Sequence, residues 1–142
     1  HKINFFVQKI SELKNILKRN KQMILFESDF KPEKLIKFIK RFDNKFFGIN
    51  YDTGNSASLG YDVSNEFKHY GSFIKNIHIK DRIRNGNTIK LGMGNANFNK
   101  LFKNIKRIRY RNNLILQTAR SGSGEHIKEL IDNINFVRKF KI

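Results

Sequence analysis

Four short apolar runs, each ending near charged or amide side chains and each followed by a stretch of helical periodicity, constrain this chain most. They are MILFESD (23–29), FFGINYD (46–52), IKNIHIKD (74–81) and NLILQTAR (113–120). Runs this short and rich in Ile and Phe read as buried strands, with boundaries near 23–28, 46–52, 74–80 and 113–118. Between them lie KPEKLIKFIKRF, VSNEFKHYG and NFNKLFKNIKRI, and after the last comes GEHIKELIDNINFVRKF. Each of these four places apolar residues on one face, as an amphipathic helix does. Pro32 marks a helix start, while Ser64 and Gly71 are a cap and a stop for VSNEFKHYG. A leading helix over 3–19, with apolar residues at 6, 7, 10, 13, 16 and 17, precedes the first strand. RIRNGNTIKLGMGNA reads as a long glycine-rich loop.

Strands alternating with helices imply a parallel sheet with helices outside and right-handed crossovers. The order, one helix and then four βα units, is odd for a free domain. It is natural for half of a (βα)8 barrel, which needs about 250 residues. The expected fold is therefore α/β, a single domain over 1–142 forming the (βα)4 C-terminal half of a TIM barrel. A doubly wound domain is the alternative. An isolated half exposes edge strands and apolar barrel lining, so it calls for a missing N-terminal half-barrel or for self-association.

The 142 residues contain no cysteine, which excludes disulfides and thiolate metal sites. No apolar run reaches the about 18 residues a membrane span needs and no secretory signal is visible, so the expectation is no membrane partner and a cytoplasmic protein. The net charge of +17 fits either a nucleic-acid surface or a solvated basic surface, because the lysines are spread along every predicted helix.

Ligands of parallel β/α folds bind at the carboxyl ends of the strands. Those ends carry Glu27 and Asp29, then Asp52, then His78, Lys80 and Asp81, then Gln117 and Arg120. Carboxylates and an imidazole from three successive strands suit a divalent metal ion such as Mn, Co, Fe, Mg or Zn, with Gln117 as a neutral oxygen. Each residue also has an ordinary explanation. Asp29 fits a helix cap, Asp81 a tie for the following loop, His78 a satisfied core histidine and Gln117 a polar filler of the barrel. Asp52 is followed by Gly54, Ser56, Ala57 and Ser58, small residues that would keep the space above it clear. Lys80 alternates with His78 and faces the same way. Arg120 precedes SGSG, a turn that offers an anion backbone N–H groups at a helix start or is an ordinary loop. His69 and His126 fall on helices, which leaves few histidines for a multi-metal cluster.

NYDTGNSASLGYD, NIHIKDR, LGMGNANF and LILQTAR, in that order and spacing, resemble the xylose-isomerase-like TIM barrels, over about residues 23–140. The nearest branch is the sugar and sugar-phosphate isomerases and 3-epimerases, with endonuclease IV a more distant relation. The resemblance implies a metal held by Glu27, Asp52, His78 and a fourth ligand at Gln117, with Glu27 also the catalytic proton carrier. It implies substrate contacts at Arg84, where some epimerases have an arginine, and at Asn55, where some relatives have histidine. Lys80 and Arg120 are the further candidates for anion recognition. The implied chemistry is proton transfer next to a carbonyl, through a metal-stabilised enediolate, on a sugar or sugar phosphate. The family has Glu where this chain has Gln117. An amide does not exchange a proton near neutral pH, so the two-base epimerase mechanism is in doubt while a one-base isomerase stands. The alternatives are a nucleic-acid-binding barrel related to endonuclease IV and a non-catalytic fragment.

Overall fold

The computed structural model describes residues 2–140; His1, one of the four histidines, and the last two residues lie outside it. Among the described residues seven α-helices run in chain order: α1 (Lys2–Ser11), α2 (Lys14–Asn20), α3 (Pro32–Ile39), α4 (Thr53–Leu59), α5 (Val63–Tyr70), α6 (Phe98–Arg107) and α7 (His126–Arg138). The strands are β1 (Ile24–Phe26), β2 (Phe47–Asp52), β3 (Ile74–Ile79), β4 (Asp81–Arg82), β5 (Thr88–Ile89) and β6 (Leu114–Leu116). The main sheet has the order β1-β2-β3-β6 and is parallel throughout. This is the α/β arrangement expected from the alternating pattern, four βα units after a leading helical segment. No helix among the described residues is long and apolar enough to cross a membrane.

The core lies on one side of the sheet. Ile49 and Tyr51 of β2 and Ile77 and Ile79 of β3 are buried, with Leu35, Ile39, Phe67, Leu101 and Ile105 of the helices. Burying one such side chain stabilises a fold by about 1.5–3 kcal/mol. The alternate positions, Asn50, Asn76, His78 and Lys80, are only partly buried and face the side without helices. The expected apolar lining is therefore absent from the two central strands, whose inner face is polar. The exposed apolar groups lie elsewhere, at Ile115 of β6, on α1 at Ile3, Phe5 and Phe6, and on α7 at Ile127, Leu130 and Ile131.

Several local expectations are corrected. The leading helix breaks at Glu12–Leu13, where the Leu13 N–H bonds back to Ile10. Val7 and Leu17 are both buried, yet they would lie about 80° apart on one uninterrupted helix; the break re-phases the stripe. Residues 53–59 form α4 instead of clear space, with Gly54, Ser56, Ala57 and Ser58 buried in it. Asp52 caps α4 by accepting from the Asn55 N–H at 2.8 Å, and Gly60 closes it in the left-handed region. Asp62, not Ser64, caps α5. Asp29 does not cap α3, whose N-cap is Lys31. The glycine-rich loop contains the antiparallel pair β4–β5. Asp81 ties that segment down, as one reading of it proposed, by accepting from the N–H groups of Gly92, Gly94 and Ala96.

Glu66 of α5 locks α4 and α5 onto β2. It is buried and accepts from the hydroxyls of Tyr51, Ser56 and Tyr70. Burial raises its pKa above the ordinary 4.5, against the opposing pull of the three hydroxyls. The ionised form therefore costs stability at neutral pH, and this cost disappears as pH falls toward 4.5. Asp43 and Asp62 behave oppositely. Hydrogen bonds from Lys14 and Lys100 lower them below 3.8, so their stabilisation is present above that value and is lost in stronger acid. Thermal melts from pH 7 down to 5 should show the parent gaining stability relative to Glu66→Gln. A constant difference between the two across that range would contradict the assignment.

Candidate metal centre

β1, β2 and β3 run parallel, and after a one-residue shift of the β2–β3 pairing between Ile49 and Asn50 their carboxyl ends lie side by side, with Asp52 opposite His78. Glu27 follows β1 directly. One donor atom from each of Glu27, Asp52 and His78 lies within 4.8 Å of the other two. His78 Nδ1 is 3.6 Å from Glu27 Oε2 and 3.9 Å from Asp52 Oδ2. The Asp52 side chain is almost fully buried, whereas Glu27 is exposed.

Polar groups aim these donors. Asn50 Nδ2 donates to Glu27 Oε2 at 2.7 Å and Asn55 Nδ2 to Glu27 Oε1 at 2.9 Å. Each amide is itself oriented: Asn76 donates to Asn50 Oδ1 at 2.7 Å, and Arg82 Nη1 donates to Asn55 Oδ1 at 3.0 Å. Both oxygens of Glu27 therefore face donors of fixed direction. Asn50 Nδ2 also lies 3.1 Å from His78 Nδ1. In the tautomer that accepts this bond the single Nδ1 lone pair is taken by Asn50, so ligation through Nδ1 would have to displace that hydrogen bond. Asp52 spends Oδ1 on the α4 cap, which leaves Oδ2 for the site.

Lys80 reaches across to the fourth strand. Its Nζ is 3.4 Å from Asp52 Oδ2 and donates to Gln117 Oε1 at 3.1 Å. Thr53 fixes its backbone by accepting from Lys80 N at 2.8 Å and donating to Lys80 O. Gly54 leaves room for the lysine stem, since a Cβ there would collide with it. Two carboxylates and an imidazole fit a borderline divalent ion. The Lys80 ammonium partly neutralises Asp52 and opposes a second cation there.

Glu27, Asp52, His78, Lys80, Gln117 and Asn55 thus form one connected cluster. Arg84 and Arg120 lie outside it. The Arg84 guanidinium packs against Gly60 at the end of α4, and Arg120 sits on the exposed segment between β6 and α7. Sequence reasoning missed Asn50, Asn76, Thr53 and Arg82. The period-two alternation that placed Lys80 with His78 also places Asn76 beside them and Asn50 with Asp52, and could have found both asparagines.

A strand-end acid–histidine cluster on a parallel half-barrel sheet defines a class of barrel with a candidate metal site. The chain belongs to the xylose isomerase-like TIM barrel family, whose model matches residues 2–140. An uncharacterised protein of Methanocaldococcus jannaschii is 28% identical over 111 residues, which cover 73% of this chain and 38% of that protein. The structure is similar to a xylose isomerase domain protein from Planctomyces limnophilus (TM-score 0.83, 18% identity, 97% of this chain and 53% of that one). It is also similar to an IOLI protein with a bound zinc atom (0.74, 15%, 94% and 55%). A D-tagatose 3-epimerase-like protein is a further likeness (0.68, 21%, 99% and 57%). The chain spans about half the length of these structures.

Proposed function

We propose that this chain is the C-terminal half-barrel of a metal-dependent sugar or sugar-phosphate isomerase or epimerase-like protein that moves a proton next to a carbonyl with one base, Glu27. The observation that carries this reading is the asymmetry of the cluster. One wall presents a carboxylate with both oxygens oriented by amides; the other presents Gln117 and Lys80. The family membership and the isomerase and epimerase neighbours support the substrate class.

Glu27, Asp52 and His78 would hold the divalent ion, with Gln117 as the neutral fourth donor. When bound, Mn, Co, Mg or Zn supplies a Lewis acid for a substrate oxygen. Glu27 takes the proton from the carbon next to the carbonyl and returns it on the same face. Asn50 and Asn55 hold its carboxylate in the attacking orientation, and Asn55 also lines the substrate space. Lys80 faces the oxyanion side and stabilises negative charge there. Arg84 and Arg120 would meet the substrate only if their segments turn toward the cluster. The remaining substrate contacts come from four further βα units, supplied by a preceding half-barrel or by a second copy.

Incubation of the completed barrel, this chain together with the half that supplies the other substrate contacts, with Mn or Co and a panel of ketoses and ketose phosphates in D2O, followed by NMR, tests this reading. The expected result is deuterium entering next to the carbonyl with isomerised product. Inversion at that carbon at a comparable rate would overturn the one-base mechanism, and absence of exchange across the panel would overturn the function. Gln117→Glu should tighten the metal only modestly, because the new carboxylate pairs with Lys80. Combined with Lys80→Met, it should tighten binding by about tenfold or more, a difference of about 1.4 kcal/mol. Equal affinity of the double variant and the parent by calorimetry would show that position 117 does not reach the ion.

A further inference from the structure

The charge of +17 is not evenly spread over the fold. In a parallel β/α unit the helix C-termini and the loops entering the strands lie on the face opposite the strand-end site. Of the 12 acids, Glu27, Asp52, Asp81, Glu33, Glu66 and Glu129 sit at strand ends or in first helical turns, on the site's face. The last turns of the helices contain Lys18, Arg19, Lys37, Lys106, Arg107 and Arg138 and no acid. Asp43, in the loop entering β2, is held by Lys14. The densest part of the basic face is the end of α6 and the turn after it. There Lys106, Arg107, Arg109 and Arg111 are all exposed and form no ion pair among the described residues.

A second observation makes this more than a favourable helix dipole. Arg109, two residues past α6, has φ 53°, and Lys21, directly past α2, also has φ 53°. This left-handed position is usually glycine, as it is at Gly60 after α4, and a side chain there costs about 1 kcal/mol. Two helix ends on one face therefore accept backbone strain while carrying a cation. Arg107, Arg109 and Arg111 present planar forks suited to phosphate oxygens. Tyr110 is partly exposed among them and is pinned by its hydroxyl to the Asn113 carbonyl at 2.7 Å. No large exposed apolar side chain lies between Met93 and Ile115, so this patch has nothing to insert into a bilayer.

We propose that the face formed by the α6 end and the neighbouring helix ends docks the phosphodiester backbone of a nucleic acid, without base-specific readout, on the side away from the candidate metal centre. This surface does not depend on the metal site or on its chemistry.

Fluorescence anisotropy with a labelled random-sequence single strand and a duplex, at about 50 and 200 mM salt, tests the proposal. The parent should bind both, with a steep salt dependence. Arg107→Gln/Arg109→Gln/Arg111→Gln should weaken binding at least about tenfold and flatten the salt slope by about 2–3. The control Lys31→Gln/Lys34→Gln/Lys128→Gln removes as many charges from the opposite side and should change affinity less than about threefold. Arg109→Gly separates folding from binding: it should melt no lower than the parent and still bind more weakly. Equal weakening by both triple variants would reduce the effect to net charge and overturn the proposal. So would undetectable binding at low salt, or displacement of the nucleic acid by phosphatidylserine vesicles that bind more tightly. Calorimetric metal affinity should be unchanged in the arginine variant, so a failure here leaves the metal site standing, and the reverse holds too.

Discussion

Asp52→Asn should abolish most of the affinity for Mn, Co or Zn while leaving the melting temperature close to the parent's. The two oxygens of Asp52 have separate duties. Oδ1 accepts the Asn55 N–H at the start of α4, and an asparagine Oδ1 keeps that cap. Oδ2 is the one that faces His78 and Lys80, and the substitution turns it into an N–H2 group that cannot ligate. Loss of groups that merely orient metal ligands costs about 10–100-fold, so loss of a charged ligand should exceed about 100-fold. Calorimetric titration of parent and variant, with melting curves on the same samples, decides the point. Undiminished affinity in the variant would mean that Glu27, Asp52 and His78 are neighbours without being a metal site.

Asp81→Ala should cost the fold more than any change at the metal cluster. Asp81 is fully buried, and its two oxygens accept three backbone N–H groups from Gly92, Gly94 and Ala96. Gly94 has no space for a side chain, because a Cβ would collide with the Asp81 carboxylate. Removing the carboxylate strands three donors in the interior, a loss of about 3–5 kcal/mol, or on the order of 10–15 °C in Tm. Asp81→Asn should fall between the two, since its oxygen still serves two donors while its N–H2 opposes the third. The effect should reach the candidate site. Asn95 N–H bonds to the Arg82 carbonyl, and Arg82 holds Asn55 against Glu27. A melt of Asp81→Ala that matches the parent would show that the loop is held by its own turns.

The strand–helix alternation was plain in the sequence because the helix-covered face of each central strand is apolar, as Phe47, Ile49 and Tyr51 are in FFGINY. Glu27, Asp52 and His78 were found together because parallel strands in register deliver their last residues to one place. α4 was missed because TGNSASL is poor in helix formers, and packing against β3 and β4 outweighs propensity. Asp62 takes the capping place expected of Ser64 because its side-chain oxygen accepts the Asn65 N–H. The β4–β5 pair was hidden because each strand has two residues, too few for any periodicity. Arg82 could not have been singled out, because its partners Asn55 and Gly86 belong to other elements.

The polar inner face of β2 and β3 bears on how such a chain can change over time. Successive residues on a strand point to opposite sides, so Asn50, Asn76, His78 and Lys80 can be rewritten without disturbing Ile49, Tyr51, Ile77 and Ile79, whose burial holds the helices. Beyond the shift in the β2–β3 pairing, folding is constrained at one parity of each strand and chemistry at the other. A lineage can therefore drift at every second position, exploring new reactions on an unchanged scaffold. Structures only 14–21% identical in sequence can then superpose closely on this one.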